Sequence, residues 1–135
     1  MPHYFSLNFP MKTEILKILQ KDSELTQTDV ESVAELSELA LDYSPEEIYL
    51  TGSSVKNEDY NDVDLCVNFS EGEFNEELVN RYLEDLDDST RIGASKSSRG
   101  KKRVIVKGNY KGSLYDIFIL EDNNLPSDVR LDLRI

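Results

Sequence analysis

Tryptophan is missing from this chain of 135 residues, and cysteine and histidine occur once each. A lone Cys66 excludes an intrachain disulfide framework and fits a reducing, cytoplasmic location, with the thiol a small core side chain. The lone His3 lies in an aromatic N-terminal segment, so no histidine-based metal site or Ser-His-Asp relay is expected. No apolar run approaches the roughly 20 residues of a membrane-spanning helix. Nor is there a basic start followed by an apolar stretch, so neither a membrane role nor export is expected. Chemistry is left to carboxylates, hydroxyls and the longer cations.

Carboxylates are plentiful. There are 27 acidic and 15 basic residues, a net charge of −12. The distribution is uneven, because Arg91, Lys96, Arg99, Lys101, Lys102, Arg103, Lys107 and Lys111 fall in one acid-free stretch, 91–112. The remaining chain holds seven basic residues against 27 acids, a net −20, so a positive patch on an acidic body is expected. Such a body repels a long polyanion, which disfavours RNA and DNA without excluding contacts through the basic stretch.

The most informative stretch is Ile48-Tyr49-Leu50-Thr51-Gly52-Ser53, followed by a polar loop and Asp62-Val63-Asp64-Leu65-Cys66-Val67. Residues i and i+2 of a strand share a face, so Asp62 and Asp64 project together while Val63, Leu65 and Val67 face the other way. Two adjacent carboxylates repel unless a positive charge lies between them, and a hard divalent cation is the usual one. A solvated acidic pair on an edge strand is the alternative. A third acid, Asp116, sits inside the apolar run Leu114-Tyr115-Asp116-Ile117-Phe118-Ile119-Leu120. Burying it demands a partner, either a Lys or Arg or a metal shared with the first two.

The pattern apolar-Gly-Ser, variable loop, Asp-x-Asp-apolar, with a later apolar-Asp-apolar strand, resembles the DNA polymerase β-like nucleotidyltransferase superfamily. Its minimal members, some of them antitoxins that transfer AMP to a partner toxin, are the most similar. Asn57 stands where they commonly carry glycine, and the loop is shorter than in many of them. The resemblance covers roughly residues 47–120. It implies a nucleotidyltransferase fold and a Mg²⁺-dependent transfer of a nucleoside monophosphate from an NTP to a hydroxyl, with a partner protein as the expected acceptor. It also implies two Mg²⁺ ions on Asp62, Asp64 and Asp116, and phosphate contacts from Gly52, Ser53 and Lys56. The alternatives are a degenerate module that only masks a partner, favoured by the altered loop, and an RNA-end nucleotidyltransferase, favoured by the basic stretch.

The remaining chain reads as one α+β domain, 1–135, with a mixed sheet and helices mainly on one face. Residues 1–10 read as an N-terminal extension, because Met11 offers an alternative start. Apolar periodicity predicts helices over Met11–Lys21, from a capping box at Thr28-Asp29-Val30-Glu31, and over Glu73–Leu86. Strands are expected at Glu47–Thr51, Val63–Phe69, Arg103–Lys107 and Leu114–Leu120. A final alternating strand runs through Val129, Leu131, Leu133 and Ile135. Asp87–Gly100 reads as a mobile loop, and Gly108–Gly112 as a five-residue hairpin loop.

Overall fold

A computed structural model describes residues 12–96, 100–126 and 132–135. Among these, three α-helices and a six-stranded sheet form an α+β arrangement. The helices are α1 (Lys12–Asp22), α2 (Gln27–Leu41) and α3 (Glu76–Asp85). The strands are β1 (Glu47–Thr51), β2 (Val63–Phe69), β3 (Asp87–Lys96), β4 (Lys102–Tyr110), β5 (Ser113–Glu121) and β6 (Leu133–Arg134). Spatial order is β3-β4-β5-β2-β1-β6. The β2–β5 pair is parallel and the other pairs antiparallel, so the sheet is mixed.

All three helices lie over one face. Ile15 and Leu19 of α1, Val30, Val33 and Leu36 of α2, and Leu78, Val79 and Tyr82 of α3 share one core with Leu65, Val67, Val104, Ile117 and Ile119. Strand alternation sends Cys66, Phe118 and Leu120 to the opposite face, where Tyr49, Ile105 and Leu125 pack against them. Cys66 is fully buried there, which pushes its thiol up to about 12 and keeps it inert.

Several local expectations are corrected. Helix α2 is capped two residues earlier than the predicted box: the Thr26 hydroxyl accepts from the Asp29 backbone N–H at 3.2 Å. Helix α3 starts only at Glu76, because the Asn75 side chain caps it by accepting from the Glu77 N–H at 2.9 Å. Asp87–Lys96 is an edge strand and not a loop. An edge strand exposes much of its surface and needs no apolar alternation, and β3 is further broken by register shifts at Asp87/Thr90 and Ile92/Ala94. The β4–β5 hairpin turns on Lys111 and Gly112 alone, with φ of 50° and 91°, as a two-residue type I′ turn requires. Gly108, expected in that loop, lies within β4 because Leu86 packs against its backbone; a Cβ there would come within 2.8 Å of the Leu86 Cβ. Of the predicted last strand, Leu133 and Arg134 pair with β1, whereas Val129 and Leu131 lie outside the described residues. So do residues 1–10, including His3, and Met11.

Candidate metal centre

Strand pairing builds the site. Thr51 lies opposite Asp64, Asp64 opposite Asp116, Asp116 opposite Lys107, and Lys107 opposite Thr90. These residues form one row across five strands on the face away from the helices. Asp62, just ahead of β2, completes the group: one carboxylate oxygen from each of Asp62, Asp64 and Asp116 lies within 4.8 Å of the others. Three hard oxygen donors at that spacing suit a divalent cation such as Mg²⁺.

The electrostatics follow from the crowding. Burial, then the charges of Asp62 and Asp116, push the Asp64 carboxyl up to about 7 from its ordinary 3.8. Asp116 is 9% exposed, and its Oδ1 is buried without a hydrogen bond. Lys107 Nζ lies 3.2 Å from that oxygen in an ion pair and hydrogen-bonds Oδ2 at 3.4 Å. Of the two partners weighed from the sequence, Asp116 takes a lysine, and it also lies beside the other two carboxylates. One cation against three carboxylates leaves the group short of positive charge.

Gly52 stands beside this row with φ 81°, and a Cβ there would come within 2.4 Å of Asp64 Oδ2. Only glycine therefore lets the β1 turn pass so close to the carboxylate. Ser53 is exposed and opens a short 3₁₀ turn, Ser53–Val55, in which its carbonyl accepts from the N–H groups of Lys56 (3.1 Å) and Asn57 (2.8 Å). The Lys56 side chain is exposed on the same turn. Gly52, Ser53 and Asp64 are thus brought together, while Lys56 lies at the end of the turn.

Two neighbours were not foreseen. The Asp132 carboxylate accepts from the Gly52 N–H at 3.2 Å and from the Thr51 hydroxyl at 3.5 Å. It lies some 80 residues along the chain, beyond any local signal. Lys107 was readable in principle, because a two-residue turn at Lys111–Gly112 fixes its place opposite Asp116.

The basic stretch is largely neutralised by the fold. Arg91 pairs with Glu76 (2.6 Å), Lys101 with Glu71 (2.8 Å) and Asp122 (3.2 Å), and Lys111 with Glu35 (2.6 Å). Lys102 lies 5.5 Å over the Phe74 ring, and Arg103 donates to the Asn124 carbonyl at 3.4 Å. Arg99 lies outside the described residues. The continuous cationic surface that sequence counting suggests is broken up by acids distant in sequence. Among the described residues no helix is long and apolar enough to cross a membrane. Comparison with protein-family models, curated proteins and solved structures finds no match to this chain.

Proposed function

We propose that this chain is a nucleotidyltransferase of the DNA polymerase β-like kind, moving a nucleoside monophosphate from an NTP to a hydroxyl acceptor. The observation that supports the reading most is the meeting of Asp62, Asp64 and Asp116 beside the Gly52–Ser53 turn. Asp62, Asp64 and Asp116 would hold two Mg²⁺ ions, which supply charge neutralisation and polarisation of the reacting phosphoryl oxygens. The residues fit that role: all three donors are carboxylates, and the buried Asp116 Oδ1 has the Lys107 ion pair but no hydrogen bond.

The chain's own groups do the rest. Gly52 offers a backbone N–H to a phosphate oxygen once Asp132 yields it, and the exposed Ser53 hydroxyl donates to the same polyphosphate. Lys56 adds a solvated positive charge at the end of that turn. Lys107 neutralises Asp116 and limits repulsion of the incoming nucleotide. The proposed acceptor is a hydroxyl of a partner protein, because the cations that would track a nucleic-acid backbone are engaged internally. This makes an antitoxin-like role the favoured setting, with cytoplasmic action.

Incubation with each α-labelled NTP and Mg²⁺, together with the product of a neighbouring gene, tests the reading. Label on the partner, lost in Asp64→Asn, is expected. Label on added RNA instead would move the assignment to the RNA-end enzyme. No transfer, with the partner nonetheless retained on the protein, would leave a masking module.

A further inference from the structure

Asp29 is the other buried aspartate, at 3% exposure, and it lies on the helix side of the sheet. Among the described residues it takes part in no ion pair. Hydroxyls surround it instead. Tyr60 donates to its Oδ2, Ser113 donates to its Oδ1 at 2.6 Å, and Tyr115 approaches the same oxygen at 3.4 Å. Tyr60 also accepts from the Thr26 N–H at 3.0 Å, which closes the network on the helix cap.

Burying a carboxylate without a cation is costly, and here hydroxyl donors and the first turn of α2 offset that cost. What the arrangement provides is position. Tyr60 precedes Asp62 by two residues in the loop that enters β2. Ser113 and Tyr115 open β5, and Asp116 follows Tyr115 directly. A single side chain thus grips, from the helix side, both backbone segments that present carboxylates on the opposite face. We propose that Asp29 is a positioning residue for the metal centre: through Tyr60 and through Ser113 and Tyr115 it fixes the separation of Asp62 and Asp116. The inference rests on the metal-site reading above. It adds a residue remote from the nucleotide whose effect passes through the oxygen cluster alone.

The test is Mn²⁺ binding, followed by calorimetry and by the electron paramagnetic resonance spectrum of the bound ion. Unfolding curves are recorded on the same samples. Tyr60→Phe and Asp29→Asn should weaken Mn²⁺ binding by roughly 10- to 100-fold, the range of outer-shell changes at metal sites, and should alter the spectrum. Tyr82→Phe is the control. It also removes one buried hydroxyl, which donates to the Leu36 carbonyl at 2.7 Å, about two helical turns along α2 from Asp29, and it should lower stability without changing the Mn²⁺ affinity or spectrum. If Asp29→Asn does not fold, Tyr60→Phe and Ser113→Ala carry the test, since each removes only one arm of the network. Folded Tyr60→Phe and Ser113→Ala proteins with the parent's affinity and spectrum would overturn the proposal. So would equal weakening in Tyr82→Phe. A parent that binds no Mn²⁺ would instead remove the metal-site reading itself.

Discussion

Two groups of acid lie on opposite faces of the same sheet and are treated differently. Asp29, under the helices, is surrounded by hydroxyl donors supplied by the fold. Asp62, Asp64 and Asp116, on the other face, point at one another with Lys107 as an ion-pair partner of Asp116 and an oxygen left without a hydrogen bond. Both groups are expensive to keep. The first is satisfied within the chain. The second is left with one cation against three carboxylates, which makes it the candidate site.

The largest effect should come from removing one acid of the incomplete group. Asp64→Asn is expected to cut transfer to below about one thousandth of the parent, beyond the roughly 10- to 100-fold of outer-shell changes. The metal-free variant should nevertheless unfold at a higher temperature, because repulsion is relieved. A variant that loses stability would show that the three carboxylates are not in conflict.

Next is pH. A carboxyl whose folded value exceeds its unfolded one binds more protons when folded, so stability falls as pH rises. For Asp64 nothing is lost below about 3.8, where both states are protonated. Stability then declines up to about 7 and is flat beyond it. With its partial solvent access discounted, the decline attributable to this residue is on the order of 2 kcal/mol. Denaturant titrations from pH 4 to 8 should show it as a difference between the parent and Asp64→Asn, and Mg²⁺ should reduce it. The same curve for both proteins would contradict the assigned cause.

Asp132 gives a smaller effect. It holds the Gly52 N–H that a phosphate would take, so Asp132→Asn should tighten nucleotide binding about three- to tenfold, a fraction of one charged hydrogen bond. Weaker binding measured by calorimetry would show that Asp132 assists the ligand. The smallest effect is expected with nucleic acid. Labelled single-stranded RNA should show no appreciable binding at physiological salt, and a micromolar complex with a steep salt slope would revive the RNA-end alternative.

How much of this was legible in the sequence differs by element. The bounds of β1 and β2 follow from apolar runs that stop at Gly52 and start after Asp62. The shared face of Asp62 and Asp64 follows from strand geometry alone. Polar β3 was missed because an edge strand carries little apolar pattern. The early cap at Thr26 was missed because Thr28 offers a similar local motif. Contacts between distant residues were hidden altogether. Asp29 meets its hydroxyls across separations of 31, 84 and 86 residues, and only the completed fold brings them together.

A divalent cation site for a triphosphate at Asp62, Asp64 and Asp116 is the proposal on which the other expectations depend. Crystals grown with Mn²⁺ and a non-hydrolysable NTP analogue test it most directly, through anomalous scattering from the metal. A strong peak bounded by carboxylate oxygens of all three aspartates, with a phosphate oxygen on the same ion, is expected. A nucleotide bound elsewhere, or Mn²⁺ absent from the three aspartates at saturating concentration, would contradict it.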